Sequence, residues 1–138
     1  MKSPAHALAL YLADFPAIGT FAAATGWSIA VSTEPVSPDT AITLYDSPAG
    51  EAYFADADIS QPMLQVRTRA RDYEEAYTKQ NDIKAILSNV MNQQIDDAYY
   101  IGVWLKSEII CIGRDDNDRF LFTANYRVER QSIGEEST

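Results

Sequence analysis

The sequence predicts an α+β domain: an antiparallel or mixed sheet of about six strands with two helices packed on one of its faces. Three observations carry that expectation. Apolar and polar residues alternate with period 2 in several separate stretches, two other stretches repeat apolar residues at helical spacing, and the strands are grouped rather than strictly interleaved with helices. The sheet's second face must then be polar, solvated or used for assembly. A chain of 138 residues, 46% apolar and 22% charged, has the size and composition of one globular domain. That domain is expected over residues 1–133, with Gly134 to Thr138 as a disordered polar tail.

Ser3-Pro4 starts the first helix with proline at its first position, Leu8, Tyr11, Leu12 and Phe15 recur at helical spacing, and Pro16 closes the segment. Residues Ala17 to Gly26 are weakly patterned and read as a connection. Trp27 to Ser32 alternates Trp27, Ile29 and Val31 against Ser28, Ala30 and Ser32, a half-buried first strand. Pro35, Pro38 and Asp39 mark a rigid turn-rich loop before a short second strand, Ala41 to Tyr45, stopped by Asp46-Ser47-Pro48. Asp46 to Gln61 is too long for a hairpin turn and reads as a protruding loop, with Glu51, Asp56 and Asp58 around Tyr53 and Phe54.

Pro62 to Val90 joins a strand directly to a long helix. Leu64, Val66, Thr68 and Ala70 point one way and Gln65, Arg67, Arg69 and Arg71 the other. Asp72 stands at the N-cap, with Glu75 completing a capping box, and Ala76, Ile83, Ile86, Leu87, Val90 and Met91 mark the buried helix face. Asn92 to Asp97 reads as a polar link. Three further runs, Ala98 to Lys106, Ile109 to Arg114 and Arg119 to Arg130, are separated by Ser107-Glu108 and Asp115 to Asp118 and read as an antiparallel meander. In the first of these runs Tyr99, Ile101, Val103 and Leu105 alternate against Tyr100, Gly102, Trp104 and Lys106, and in the last Phe120, Phe122, Ala124, Tyr126 and Val128 face one way.

Twenty acidic against 11 basic residues leave a formal charge of −9, which argues against sequence-independent DNA binding but not against a protein that lies near DNA without gripping it. Cys111, the one cysteine, lies in an apolar run and reads as a buried, inert thiol, with His6 in a different segment. No signal-peptide pattern and no run of about 18 apolar residues is present, so a soluble chain made in a reducing cytoplasm is expected. No phosphate loop, nucleophile elbow or zinc spacing occurs. Asp115-Asp116-Asn117-Asp118 offers oxygen ligands, but it lacks the glycine and distal glutamate of a calcium loop and reads as a solvated turn. No enzyme, cofactor or metal is expected. The row Arg67, Arg69, Arg71 is either a solvated strand face paired with neighbouring acids or a protein–protein surface, where arginine's planar fork bonds carboxylates.

The strand Ile42-Thr-Leu-Tyr-Asp with its turn to Gly50, then Gln65-Val-Arg-Thr-Arg-Ala-Arg-Asp-Tyr73 and a helix containing Ala76, resembles the minor capsid and tail terminator (tail completion) proteins of tailed bacteriophages. Ala49 departs from the Gly-Gly or Pro-Gly turn of that pattern. The resemblance implies a structural virion protein: a ring, typically hexameric, that caps the tail tube, ends its polymerisation and joins tail to head, built in the host cytoplasm. Its implied partners are further copies of itself, the tail tube protein and the head–tail connector, with DNA passing through unbound. The subunit interface would draw on Arg67, Arg69 and Arg71 and on Glu51, Tyr53, Phe54, Asp56 and Asp58. A head-completion or stopper protein at the same junction is the near alternative, and a small-ligand or metal-binding module is the alternative of another class.

Overall fold

The computed structural model describes residues 1–54 and 59–133, and for residues 48–54 the course of the backbone alone. In chain order the elements are α1 (Pro4–Ala13), β1 (Thr20–Phe21), β2 (Ser28–Val31), β3 (Ala41–Phe54), β4 (Ile59–Ala70), α2 (Tyr73–Leu87), β5 (Met91–Ile95), β6 (Ala98–Leu105), β7 (Ile110–Arg114) and β8 (Phe120–Ser132). They form the expected α+β architecture with a mixed sheet, though the described strands number eight rather than six. The order is β1-β2-β3-β4-β8-β6-β5, and β7 also pairs with β8. β1, β2 and β3 run parallel, and the remaining pairs are antiparallel.

The β4–β8 pair is the spine of the sheet. Its ladder runs from Ile59 opposite Gln131 to Ala70 opposite Phe120. Alternation sends Leu64 and Val66 from β4, and Ala124, Tyr126 and Val128 from β8, to one face. There they meet Leu8 and Leu12 of α1 and Ile83 and Leu87 of α2 in one apolar cluster, so both helices cover the same face. Each fully buried leucine or isoleucine in that cluster contributes roughly 1.5–3 kcal/mol.

Local signals set the helices. The Ser3 hydroxyl accepts from the His6 N–H, and the Asp46 carboxylate reaches from β3 to accept from the Ala5 N–H, so two of α1's open amides are satisfied. In α2 the Asp72 carboxylate accepts from the Glu75 N–H as expected of an N-cap. The helix stops at Leu87, short of the expected Met91, where the i→i−4 ladder gives way to tighter i→i−3 bonds from the Asn89 and Val90 N–H groups to the Ile86 and Leu87 carbonyls. Met91 is consequently exposed at the start of β5.

Four expectations are corrected by the chain's path. The loop expected from Asp46 to Gln61 is largely hairpin: β3 continues to Phe54, and Glu51 and Phe54 pair with Gln61 and Ile59. The ladder breaks between Ser47 and Glu51, around Pro48, which has no N–H to donate. Residues 92–97, expected as a polar link, form β5 and the two-residue turn Asp96-Asp97; the stretch MNQQI is too polar to show alternation. The expected meander is a single hairpin, because β6 and β7 lie end to end along the same edge of β8. Ser107-Glu108 is therefore a break in a continuing strand rather than a turn, and the Ser107 hydroxyl accepts from the Asn125 N–H in place of a ladder carbonyl. Finally, a bulge between Tyr100 and Gly102 breaks the alternation of β6, so Tyr100 and Val103, expected on opposite faces, are both core.

The segment before β2 is fastened by Lys79. Its ammonium donates to the Ala17 and Ile18 carbonyls and lies 4.8 Å from the centre of the Trp27 ring. Gly19 allows the close approach: a Cβ there would lie 2.9 Å from the Trp27 carbonyl oxygen. Burial pushes the Lys79 pKa down, while Asp82 and Glu75 support its charge. Lys79→Met keeps the aliphatic stem and removes both hydrogen bonds. Thermal unfolding is expected to show a loss of about 1–3 kcal/mol, the cost of stranding two carbonyls that a cation had satisfied.

Candidate functional site

The sheet face turned away from the helices is the polar one. Three register rows bear its distinctive side chains: Ala41–Arg69–Leu121, Thr43–Arg67–Thr123 and Tyr45–Gln65–Asn125 across β3, β4 and β8. A fourth row carries Ser47, Met63, Arg127 and Trp104 across β3, β4, β8 and β6. Residues 32–40, the crossover from β2 to β3, reach one end of this face, where Arg67 and Arg69 meet them.

The three arginines read as one row have three different environments. Arg69 is 2% exposed, against the expectation of a common outward row. Its guanidinium donates to the Pro38 carbonyl at 2.6 Å and the Asp39 carbonyl at 3.1 Å, so it is a structural clamp on the crossover. Arg71 is exposed and pairs with the Asp39 carboxylate at 2.7 Å. Arg67 lies between these extremes, with a long 3.8 Å pairing to Glu34 and its guanidinium 5.5 Å from the centre of the Tyr45 ring. Alternation gives the direction of a side chain but not what folds over it, and the crossover sits farther along the chain than local patterning reaches.

Asp39 is the hub that sequence reading missed. Arg71 and the buried Arg119 both address its carboxylate, and Arg119 also donates to the Val36 carbonyl and pairs with Asp115. The hydrogen bond from Arg71, with the charges of Arg71 and Arg119, holds the Asp39 carboxyl below the usual range. Asp115 is committed in the same way: one oxygen accepts from the Asn117 and Arg119 N–H groups and the other from the Arg119 guanidinium. A second missed feature is the pair Trp104–Arg127, with the guanidinium 4.8 Å from the ring centre. The signal available was Gly102, two residues before the tryptophan: a Cβ there would sit 2.5 Å from the indole, so the ring lies flat on the strand.

Among the remaining expected interface residues, Asp56 and Asp58 lie outside the described residues. For Glu51, Tyr53 and Phe54 the described fact is their place in the β3 backbone. Cys111, expected to be buried, is exposed on β7 beside Ile110 and Ile112, because this short strand follows the edge of β8 with no layer of the described residues packed over it. Groups of three or more potential metal-ligating side chains are absent among the described residues, and so is any helix long and apolar enough to cross a membrane.

The profile of a family described as bacteriophage tail terminator protein matches residues 10–132, a span that includes the last four residues of α1, all of α2 and every strand of the sheet. A chain in a solved structure, the virion of native gene transfer agent (GTA) particle, matches with a TM-score of 0.58 and 10% sequence identity, covering 75% of this chain and 78% of that one. That likeness is one of fold. No curated protein sequence matches.

Arg69 and Arg71 are expected to separate on mutation. Arg69→Gln should cost about 1–3 kcal/mol in denaturant unfolding, because buried carbonyls lose their donors. Arg71→Gln, an exposed pair, should cost about 0–1 kcal/mol. A second outcome concerns pH. Since the folded Asp39 pKa is depressed, its pairing supports the crossover above the ordinary aspartate value of about 3.9 and is lost as pH falls through the lowered one. Carboxyl-carbon NMR should find Asp39 titrating below the ordinary range in the native chain and closer to it in Arg71→Gln.

Proposed function

The chain belongs to the bacteriophage tail terminator family, and from that premise of a structural virion protein acting in tail completion we propose its finer role. It forms a ring, hexameric by resemblance, that caps the tail tube, ends polymerisation of the tube and joins the tail to the head connector. It does so by binding rather than by catalysis and without a cofactor. Assembly takes place in the host cytoplasm, and the ring remains in the virion.

The observation that carries this reading is the extent of the family match, residues 10–132, which takes in both layers of the fold rather than an isolated motif. The physics is consistent with it. A net charge of −9 suits a ring through which duplex DNA slides, since like charge keeps the nucleic acid from adhering. Subunit contact falls to the open sheet face around Arg67, with Arg71 at its rim and Arg69 holding the crossover in place. For the stretch bearing Glu51, Tyr53, Phe54, Asp56 and Asp58, the proposal is contact with a neighbouring subunit or the tube.

Sedimentation of the purified chain with and without tail tubes, across a salt series, tests the role. The expected result is a ring-sized species or tube-bound protein at low salt that weakens as ionic strength rises. A strict monomer that ignores tubes at low salt would contradict it. Electron microscopy of particles lacking the protein adds a second arm: abnormally long tails are expected, whereas tailless filled heads would place the protein at the head as a stopper.

A further inference from the structure

The open sheet face holds polar side-chain atoms that have no hydrogen-bond partner among the described residues. The Nε–H groups of Arg67 and Arg127 are buried and have no hydrogen-bond partner among the described residues, which leaves recognition at this face to the outer nitrogens of each guanidinium. The hydroxyls of Thr43 and Thr123, residues 0% and 7% exposed that flank Arg67 in register, are likewise unpartnered. Arg127 takes part in no ion pair among the described residues, although it is held in a defined plane against Trp104, whose ring is itself fixed over Gly102. A guanidinium plane already oriented by stacking is suited to bidentate capture of a carboxylate. Arginine with tryptophan and tyrosine is also the composition of energetically dominant interface centres.

The complementary chemistry lies on the opposite layer of the same molecule. Helix α2 buries Ala76, Lys79, Gln80, Ile83 and Leu87, and its outward stripe presents Glu74, Glu75, Thr78, Asp82 and Ala85, all exposed. None of those three carboxylates is ion-paired among the described residues. We propose that the arginine–aromatic face of one subunit, centred on Arg127 and Arg67, receives the carboxylates of α2 from a second copy of this chain. The partner surfaces lie on opposite sides of the fold, so each copy offers one of each. The contact is heterologous: two copies leave both kinds of surface unfilled at their ends, and repetition continues until a ring closes. The inference rests on the ring reading above and names the two surfaces that would build it.

Charge reversal in three chains tests this. Arg127→Glu sets acid against acid, and Glu74→Arg with Asp82→Arg sets base against base. A chain carrying all three substitutions restores opposite charges with the signs exchanged. Sedimentation at low salt in the presence of tail tubes should find both single-surface variants at least tenfold weaker in assembly than the native chain, and the combined chain substantially recovered. Circular dichroism confirms the fold of each. Glu74→Arg alone, on an exposed helix position and leaving Asp82 in place to support Lys79, carries the test even if Arg127→Glu or the Asp82 change unfolds the chain. Native-like assembly by a folded single-surface variant would overturn the proposal, as would a folded combined chain that shows no recovery. A native chain that neither self-associates nor binds tubes would sink the ring reading, and this inference with it.

Discussion

The register of β4 against β8 is the constraint on which the rest of the structure depends. With side chains alternating across the sheet, this pairing sends Leu64, Val66, Ala124, Tyr126 and Val128 under the helices and leaves Arg67, Arg69, Asn125 and Arg127 on the other side. A slip of one residue would drive arginines into an apolar core, at a desolvation cost of several kcal/mol per charge. The same ladder that builds the core therefore builds the polar face. Neither could be shifted without the other.

A polar sheet face would ordinarily need no partner, because water satisfies it. Here part of it is removed from water by the crossover between β2 and β3, which Arg69 and Arg119 clamp through backbone carbonyls and Asp39. In the row beside the clamp, Thr43 and Thr123 are buried, and their hydroxyls have no hydrogen-bond partner among the described residues. A virion protein of this family is bound to other proteins, and Arg127, without an ion pair among the described residues and set against Trp104, is the charge at this half-covered face that a protein partner can satisfy.

Much of the fold was legible in the residues. The helix starts at Ser3-Pro4 and Asp72, the facing of β4 and β8, and the one-sided placement of both helices all follow from local spacing and capping. The missed elements share a cause. β1 is two residues long and β5 is polar, so neither carries alternation, and both are strands because a neighbour pairs with them. The β6 facing was misread because a bulge inserts one residue, which period-2 counting cannot detect without the partner strand. For the candidate site, direction was readable but depth was not. Arg67, Arg69 and Arg71 alternate identically in sequence, and only the crossover, thirty-odd residues earlier, makes one a clamp, one an exposed ion pair and one a loosely paired, half-buried charge.

The central claim is that the sheet face opposite the helices is the surface this chain uses to meet other proteins in the virion. Hydroxyl-radical footprinting of Trp104 and Met63, both on that face, measures it most directly, in the free protein and on tail tubes. The account predicts strong protection of both residues on assembly, with the exposed β5 residue Met91 as the reference for oxidation elsewhere on the surface. Equal oxidation of Trp104 and Met63 in the free and assembled states would contradict it.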